Sequence, residues 1–153
     1  MSAGKALVVD ANILIRAALG RRVRSLLNRY EESTDFYAPD VCFDDAREYV
    51  EQILNQRGSG ADLGLQVIRQ IELLVEPVDR SLYVEMEGPA RERISVRDPD
   101  DWPIIAVALL LEAPIWTEDR DFFGSGLAVW TTDRIEIYLR YRQAGPQQMA
   151  FGK

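Results

Sequence analysis

The sequence contains no histidine and a single cysteine, Cys42, among its 153 residues. Without histidine, the chain has no Ser-His or Cys-His dyad, no imidazole general base and no histidine-assisted zinc site. One cysteine cannot form an internal disulfide or a thiolate metal cluster. A catalytic metal in this chain must therefore be held by oxygen ligands, which favours Mg²⁺ or Mn²⁺.

Long apolar runs and a secretory signal are also missing. The longest apolar run, residues 104–111, is far shorter than the roughly 20 residues that span a bilayer. The N-terminus, Met-Ser-Ala-Gly-Lys, passes directly into a strand-like segment and does not resemble a signal peptide. We therefore expect a cytoplasmic protein, with one domain over residues 1–142 and a disordered tail over residues 143–153.

Positive residues are fewer than negative ones, and the net charge is −7. This net charge argues at first against a nucleic-acid partner. The distribution of the charge is uneven. Residues 1–30 contain six basic residues and one acidic residue, a local balance of +5, so the rest of the chain sums to −12. A basic segment beside an acidic metal site can hold a phosphate backbone, which makes Arg16, Arg21 and Arg22 candidate substrate-binding residues. A solvated, arginine-rich helix face is the alternative explanation.

Short apolar runs alternate with amphipathic segments along the chain. Strands are predicted at residues 6–10, 36–38, 75–78, 114–117 and 127–131. Helices are predicted at residues 12–19, 21–32, 41–57, 61–74, 82–93 and 102–111, with a last helix reaching about residue 141. Asp40, Ser81 and either Thr132 or Asp133 are the predicted helix caps. This alternation predicts an α/β protein, a three-layer α/β/α sandwich with a central parallel sheet.

Acidic residues stand where such a sheet would bring them together. Asp10 ends the first strand, Asp119 and Asp121 follow the fourth strand, and Asp101 opens the helix before it. Because sites in parallel sheets lie beyond the carboxyl ends of the strands, these acids are expected to converge on one edge. Taken singly, each also has a structural explanation, as a helix cap or as part of a solvated loop.

The charged turn at residues 97–101 contains three candidate acids. One of Asp98, Asp100 and Asp101 is expected to cap the following helix. Asp101 is in phase with the apolar positions Ile104 and Ala108, so it should lean towards the protein body, where the helix dipole keeps it ionised for a cation.

A convergent acidic cluster suits phosphodiester cleavage. A divalent ion neutralises the charge that develops on the phosphate oxygens and lowers the pKa of a bound water, so a nucleophile forms without histidine. Without an ion, the same carboxylates would repel one another, and a purely structural role is therefore hard to assign.

Four segments carry a resemblance to a known family. They are VVDANILIRAAL at 8–19, YAPDVCFDDAREYVEQIL at 37–54, RDPDDWPIIAVALLLEAPIWTEDRDFF at 97–123 and VWTTDRIEIYL at 129–139. Together they resemble the PIN-domain (PilT N-terminus-like) family over roughly residues 6–140, and the third segment is the most specific. The resemblance implies an α/β/α sandwich and a Mg²⁺- or Mn²⁺-dependent ribonuclease that leaves a 5′-phosphate and a 3′-hydroxyl. Many such proteins are VapC-type toxins, which commonly form homodimers and are neutralised by a small antitoxin protein.

The resemblance also implies residue roles. Asp10, Asp101 and Asp119 are the expected metal ligands and catalytic acids, and the expected supporting residues are Asn12, Thr117 and Asp121.

The fourth acid of the family is usually a glutamate on the helix after the second strand. Here Glu48 has the right residue type, but helical phase points it almost opposite to the buried stripe that contains Ala46 and Val50. Asp45 lies nearer the flank of that stripe, and the family pattern A-P-E-x-x-x-E-E also sets it on the glutamate's position. We assign Asp45 as the fourth catalytic acid; its shorter side chain would reach the metal through water.

Three functions are weighed on this basis. The first is a metal-dependent endoribonuclease, the toxin of a toxin–antitoxin pair. The second is a non-catalytic PIN scaffold that binds RNA or a protein partner, which the replacement of the usual glutamate by Asp45 would favour. The third, a metal-dependent phosphatase, ranks last because the segment VVDANI lacks a second aspartate two residues after Asp10.

Overall fold

The computed structural model of the chain describes residues 4–58, 61–94 and 98–141. The strands in these ranges are β1 Ala6–Val9, β2 Asp35–Pro39, β3 Val75–Val78, β4 Ile115–Trp116 and β5 Val129–Trp130. The helices are α1 Ala11–Leu19, α2 Arg22–Tyr30, α3 Asp40–Gln56, α4 Ala61–Glu72, α5 Arg80–Tyr83, α6 Glu87–Ile94, α7 Trp102–Leu111 and α8 Ile135–Arg140. The predicted tail at 143–153 and Arg97 of the charged turn lie outside the described residues.

The five strands form one parallel sheet in the order β3-β2-β1-β4-β5. The central strand β1 is wholly apolar, and its residues Leu7, Val8 and Val9 are fully buried. It pairs with β2 through Leu7 and Phe36, and with β4 through Val8 and Ile115. This order places the carboxyl end of β1 beside that of β4, as is needed for the acids that follow these two strands to converge.

Helices cover both faces of the sheet, and the predicted α/β/α sandwich is confirmed. Helices α1 to α4 contact one another, while α7 packs against α5, α6 and the strands β1 and β2. Helix α7 is apolar all round and buried from Trp102 to Ala108, as expected for a helix enclosed between a sheet and other helices. None of the helices in the described ranges is both long enough and apolar enough to cross a membrane.

The helix predicted at 82–93 with a Ser81 cap is wrong. Asp79 is the actual cap and accepts a hydrogen bond from the backbone N–H of Ser81 at 2.9 Å. Helix α5 ends at Tyr83, and a 3-10 turn at Val84–Met86 separates it from α6. Pro89 explains the interruption, because its ring nitrogen has no hydrogen to donate; it falls in the first turn of α6, where no donor is needed.

Two other predicted caps are also wrong. Helix α3 starts at Asp40 itself, after Pro39, and the Asp40 carboxylate accepts from the backbone N–H of Arg80 at 3.0 Å and from the Tyr83 hydroxyl at 2.7 Å. Asp40 therefore joins α3 to α5. Helix α8 follows Arg134 and has no side-chain cap, because Thr132 and Asp133 bond to other partners.

Several predicted elements are shorter in the structure. The fourth and fifth strands, predicted at 114–117 and 127–131, are reduced to two residues each in β4 and β5. Thr117 thus lies just beyond the sheet, where its side chain is used in the site described below.

Lys5 connects the first strand to the last helix. It is 6% exposed, and its Nζ donates to the backbone oxygens of Tyr138 at 2.6 Å and Leu139 at 3.1 Å. A cation at the C-terminal end of a helix interacts favourably with its dipole and satisfies carbonyls that have no partner within the helix.

We expect Lys5→Met to lower the free energy of unfolding by about 1–2 kcal/mol, because both α8 carbonyls lose their charged donor while the apolar stem is largely retained. Urea unfolding followed by circular dichroism measures the change. The matched control is Arg57→Met at the exposed end of α3, which should shift stability by less than about 0.5 kcal/mol. Equal losses in the two variants would contradict a specific role for Lys5.

Candidate active site

A pocket of about 180 Å³, which we call the acidic pocket, lies at the sheet edge where β1 and β4 end. The carboxylates on its walls are Asp10, Asp45, Asp100, Asp101 and Asp119, and the predicted supporting residue Asn12 is also part of the lining. The structure therefore brings all four predicted catalytic acids to one cavity. Glu48, the alternative fourth acid, is exposed on α3 and is not among the lining residues.

Asp10 is the most firmly held acid of the pocket. Its Oδ1 accepts from the backbone N–H of Ile13 at 3.0 Å, which caps α1, and its Oδ2 accepts from the hydroxyl of Thr117. The residue is 5% exposed, and this burial raises its pKa to about 6 against the lowering effect of the two hydrogen bonds. The nearby charges of Asp119 and Glu118 raise the pKa further.

Thr117 and Asp121 orient the segment that follows β4. Thr117 is fully buried, and its oxygen also accepts from the backbone N–H of Asp119 at 2.9 Å. Asp119 Oδ1 in turn accepts from the backbone N–H of Asp121 at 2.9 Å, which caps the 3-10 turn Arg120–Phe122. The Thr117 hydroxyl therefore links the backbone of Asp119 to the carboxylate of Asp10.

Asp101 occupies the N-cap position of α7 but makes no capping hydrogen bond. Asp98 caps the preceding 3-10 turn, accepting from the backbone N–H of Asp100 at 3.1 Å. The Oδ2 atom of Asp101 is buried and has no hydrogen-bond partner among residues 4–58, 61–94 and 98–141. Burial raises the pKa of Asp101 to about 7, and the charges of Asp98, Asp119 and Asp10 add to this effect.

This environment fits a divalent cation. Buried acceptors are almost always satisfied, so the lone Asp101 Oδ2 marks a place for a positively charged partner. Among residues 4–58, 61–94 and 98–141, no three acidic or thiol side chains already form a compact ligand set. A pocket with carboxylates on several walls and space between them suits Mg²⁺ or Mn²⁺, which are bound through one or two carboxylates and retain several waters.

Cys42 lies in the wall of the same pocket. Its side chain is buried, and burial raises the pKa of the thiol well above its ordinary value. The thiol is therefore protonated at neutral pH, so the oxygen atoms of the pocket are the candidate ligands for a metal.

A second cavity, of about 490 Å³, lies beside the acidic pocket at the turn between α1 and α2. The three predicted substrate-binding residues, Arg16, Arg21 and Arg22, line it together. Arg16 Nε donates to Asn12 Oδ1 at 3.3 Å, so the two cavities are adjacent along α1. We call this second cavity the arginine groove.

A network at the end of β5 was not anticipated from the sequence. Glu118 Oε2 accepts from both the backbone N–H and the hydroxyl of Thr132, at 2.6 and 2.8 Å. Trp116 Nε1 donates to the same hydroxyl at 3.0 Å. Side chains alternate in direction along the extended segment 117–119, and this could have indicated that Glu118 faces away from Asp10. Nothing in the sequence indicates that Thr132 is the partner of Glu118.

The sequence and the fold of this chain are similar to those of known proteins. A sequence profile of the PIN-domain family matches residues 8–140. The chain belongs to the PIN-domain family. The match covers both cavities and every predicted site residue. Comparison with curated proteins gives no match.

Solved structures share the fold of this PIN domain at low sequence identity. A chain in the structure of VapBC2 from Rickettsia felis bound to a DNA fragment from their promoter has a TM-score of 0.66 and 12% identity, with 82% of this chain and 98% of that chain covered. PAE2754 from Pyrobaculum aerophilum has a TM-score of 0.66 and 13% identity, covering 92% and 93%. A toxin–antitoxin complex from Klebsiella pneumoniae has a TM-score of 0.61 and 18% identity, covering 82% and 97%. At these identities the likeness establishes the fold.

Proposed function

We propose that this PIN domain is a Mg²⁺- or Mn²⁺-dependent endoribonuclease that hydrolyses RNA phosphodiester bonds. The observation that carries the proposal is the buried Oδ2 of Asp101, which has no hydrogen-bond partner among the described residues; Asp101 lines a pocket together with Asp10 and Asp119. A divalent cation bound there would neutralise charge on the phosphate and lower the pKa of a coordinated water.

The roles of the residues follow from their positions. Asp10, Asp101 and Asp119 would hold the cation, and Asp45 would add a ligand through water from the opposite wall. Thr117 fixes Asp10 and Asp119 relative to each other through its hydroxyl. In this proposal the carboxylates also orient the attacking water and take up its proton.

The proposal includes a partner protein. Structures with the same fold are described as VapBC complexes or as a toxin–antitoxin complex, and these descriptions support a VapC-like toxin that a small antitoxin neutralises. Assembly into a homodimer stays a prediction, which size-exclusion chromatography with light scattering can test.

Incubation of the purified protein with unstructured RNA is expected to give cleavage in Mn²⁺ or Mg²⁺ and none in excess EDTA, because no histidine or reactive thiol can replace the metal. Products should carry a 5′-phosphate, which a phosphate-dependent exonuclease detects. Readdition of Mn²⁺ after EDTA should restore the activity.

RNA cleavage that is undiminished in EDTA would contradict the metal-dependent mechanism. Isothermal titration with Mn²⁺ provides an independent measurement. If no heat of binding appears and no RNA is cleaved, the non-catalytic scaffold becomes the better explanation of the fold.

A further inference from the structure

Glu118 lies between two residues of the site but does not line the acidic pocket. Its neighbour Thr117 donates a hydrogen bond to Asp10, and its other neighbour, Asp119, is part of the pocket lining. Side chains alternate in direction along an extended segment, so a residue between these two is directed to the other side of the chain. The position of Glu118 therefore calls for a role outside the pocket.

The Glu118 carboxylate is bound to the end of β5. Its Oε2 accepts from the backbone N–H of Thr132 at 2.6 Å and from the Thr132 hydroxyl at 2.8 Å. The same hydroxyl accepts from Nε1 of the fully buried Trp116 at 3.0 Å. Thr132 is itself buried, so water has little access to compete for these bonds. We call the two bonds between Glu118 and Thr132 the Glu118 clamp.

The Glu118 clamp lies where β4 and β5 separate. A backbone hydrogen bond from the Thr117 N–H to the Trp130 oxygen, at 3.0 Å, closes the pairing of the two strands. Beyond that bond the chain after β5 leaves the sheet towards α8, and the Thr132 N–H is met by the side chain of Glu118. The clamp therefore holds the segment that leads to Asp119 against the end of β5 after the sheet itself has ended.

The charge of Glu118 is not used in an ion pair within the described ranges. Glu118 and Thr132 line the arginine groove together with Arg16, Arg21 and Arg22. Among residues 4–58, 61–94 and 98–141, the Glu118 carboxylate bonds to Thr132 and to none of these arginines. Hydrogen bonds to an ionised acceptor are shorter and stronger than those between neutral groups. A carboxylate that bonds to a neutral residue beside three cations therefore contributes a fixed geometry.

We propose that Glu118 is a positioning residue for the metal site of the proposed function. The Glu118 clamp fixes the segment 117–119, so that the Thr117 hydroxyl reaches Asp10 and Asp119 stays on the wall of the acidic pocket. Glu118 acts through its neighbours by hydrogen bonding and needs no contact with the metal or the RNA. Groups that orient metal ligands are commonly worth roughly 10- to 100-fold in metal affinity or activity. The inference rests on the proposed ribonuclease function and extends it to a residue outside the pocket.

Two substitutions of Glu118 separate hydrogen bonding from charge. The amide oxygen of glutamine can accept both bonds from Thr132, so Glu118→Gln should keep the Mn²⁺ dissociation constant and kcat within about twofold. Glu118→Ala removes the clamp, and it should raise the dissociation constant and lower kcat at saturating Mn²⁺ by about tenfold each. Titration calorimetry and initial rates on a short unstructured RNA measure these effects at pH 8, which lies above the pKa values of Asp10 and Asp101.

Thr132 gives a second route to the clamp that leaves Glu118 intact. Thr132→Val removes the hydroxyl and keeps the backbone N–H bond, so it should raise the Mn²⁺ dissociation constant by a smaller factor, about threefold. Thr132→Ser keeps the hydroxyl and should match the unaltered protein. This pair tests the proposal even where Glu118→Ala fails to fold.

Asp79→Ala is the control for a purely structural loss. The Asp79 Oδ2 accepts from both the backbone N–H and the hydroxyl of Ser81, the same pair of bonds, but at the start of α5 and outside the lining of the acidic pocket. Asp79→Ala should lower the unfolding temperature of the metal-free protein and leave the Mn²⁺ dissociation constant and kcat unchanged. A purely structural role for Glu118 predicts the same pattern in Glu118→Ala.

The outcomes separate this proposal from the function on which it rests. An unaltered protein that neither binds Mn²⁺ nor cleaves RNA would overturn both. If it binds Mn²⁺ without cleaving RNA, the nuclease function fails, and the dissociation constants still decide the role of Glu118. If it does both and Glu118→Ala and Thr132→Val keep its dissociation constant and kcat, the function stands and the positioning role is overturned. Equal losses in Glu118→Gln and Glu118→Ala would show that Glu118 acts through its charge, which also overturns the positioning role.

Discussion

Asp101→Asn is expected to lower Mn²⁺-stimulated RNA cleavage by about a hundredfold or more, because it removes a proposed charged ligand whose loss would cost roughly 3 kcal/mol of transition-state stabilisation. Among the substitutions of the pocket acids, this one tests metal binding with the least disturbance of the structure. The Oδ2 atom of Asp101 has no hydrogen-bond partner in the part of the chain that the structure describes, so an amide introduced there breaks no bond seen in it. Initial rates on a fluorescent RNA, together with the unfolding midpoint, measure the effect.

Asp10→Asn is a less clean test of the same site. Both Asp10 oxygens accept hydrogen bonds, one from the Ile13 N–H and one from the Thr117 hydroxyl. An asparagine must direct its NH₂ group at one of these donors, and a loss of activity would then mix altered structure with altered chemistry.

Glu48→Gln is the matched control, because it makes the same change of charge on α3 without altering the pocket lining. It should retain the unaltered cleavage rate, whereas Asp45→Asn should give an intermediate loss if Asp45 acts through water. Full activity in Asp101→Asn, or equal losses in Asp45→Asn and Glu48→Gln, would contradict the proposed assignment.

Mn²⁺ binding should weaken about a thousandfold between pH 8 and pH 5, since protons compete with the metal for Asp10 and Asp101. The pKa values of about 6 and about 7 place both titrations inside this range. Below its pKa, each carboxyl weakens binding by about tenfold per pH unit. Titration calorimetry across the range measures the dissociation constant, and Asp101→Asn should give a shallower dependence on pH.

The stability of the metal-free protein should change in the opposite direction. Both carboxyls have a pKa raised above the ordinary value of 3.8, so between about pH 4 and pH 7 the folded protein holds protons that the unfolded chain releases. The free energy of unfolding therefore falls as the pH rises through this window. With saturating Mn²⁺ the loss should be offset, because the metal binds the folded state. A dissociation constant that does not vary with pH would contradict a role for these two carboxylates as ligands.

Much of the site position could be predicted from local sequence. The apolar run ALVV is expected to form a buried strand, and Asp10 follows it directly. The order of the strands in the sheet is then the only further information needed to place Asp10 beside the segment that follows β4. Helical phase alone separates Asp45, which lines the pocket, from Glu48, which does not. These arguments succeed because strand ends and helix faces are set by periodicity.

The wrong cap predictions at Asp40, Thr132 and Asp133 concern side chains with two possible partners. All three lie at or just before the start of a helix and have the chemistry of caps, yet each bonds to a residue distant in the sequence. The local sequence pattern predicts that such a residue caps the helix nearest to it. Only the packed structure reveals that Tyr83 competes for Asp40, and that Glu118 and Trp116 compete for Thr132.

The bond between Thr117 and Asp10 joins residues that are 107 positions apart. During translation, β1 leaves the ribosome well before its partner β4, because α1, β2 and all the elements up to α7 lie between them in the sequence. Contacts of such large sequence separation form late and slowly. A nascent chain therefore cannot assemble the acidic pocket until β4 and Thr117 have left the ribosome, and any nuclease activity would begin only after that point.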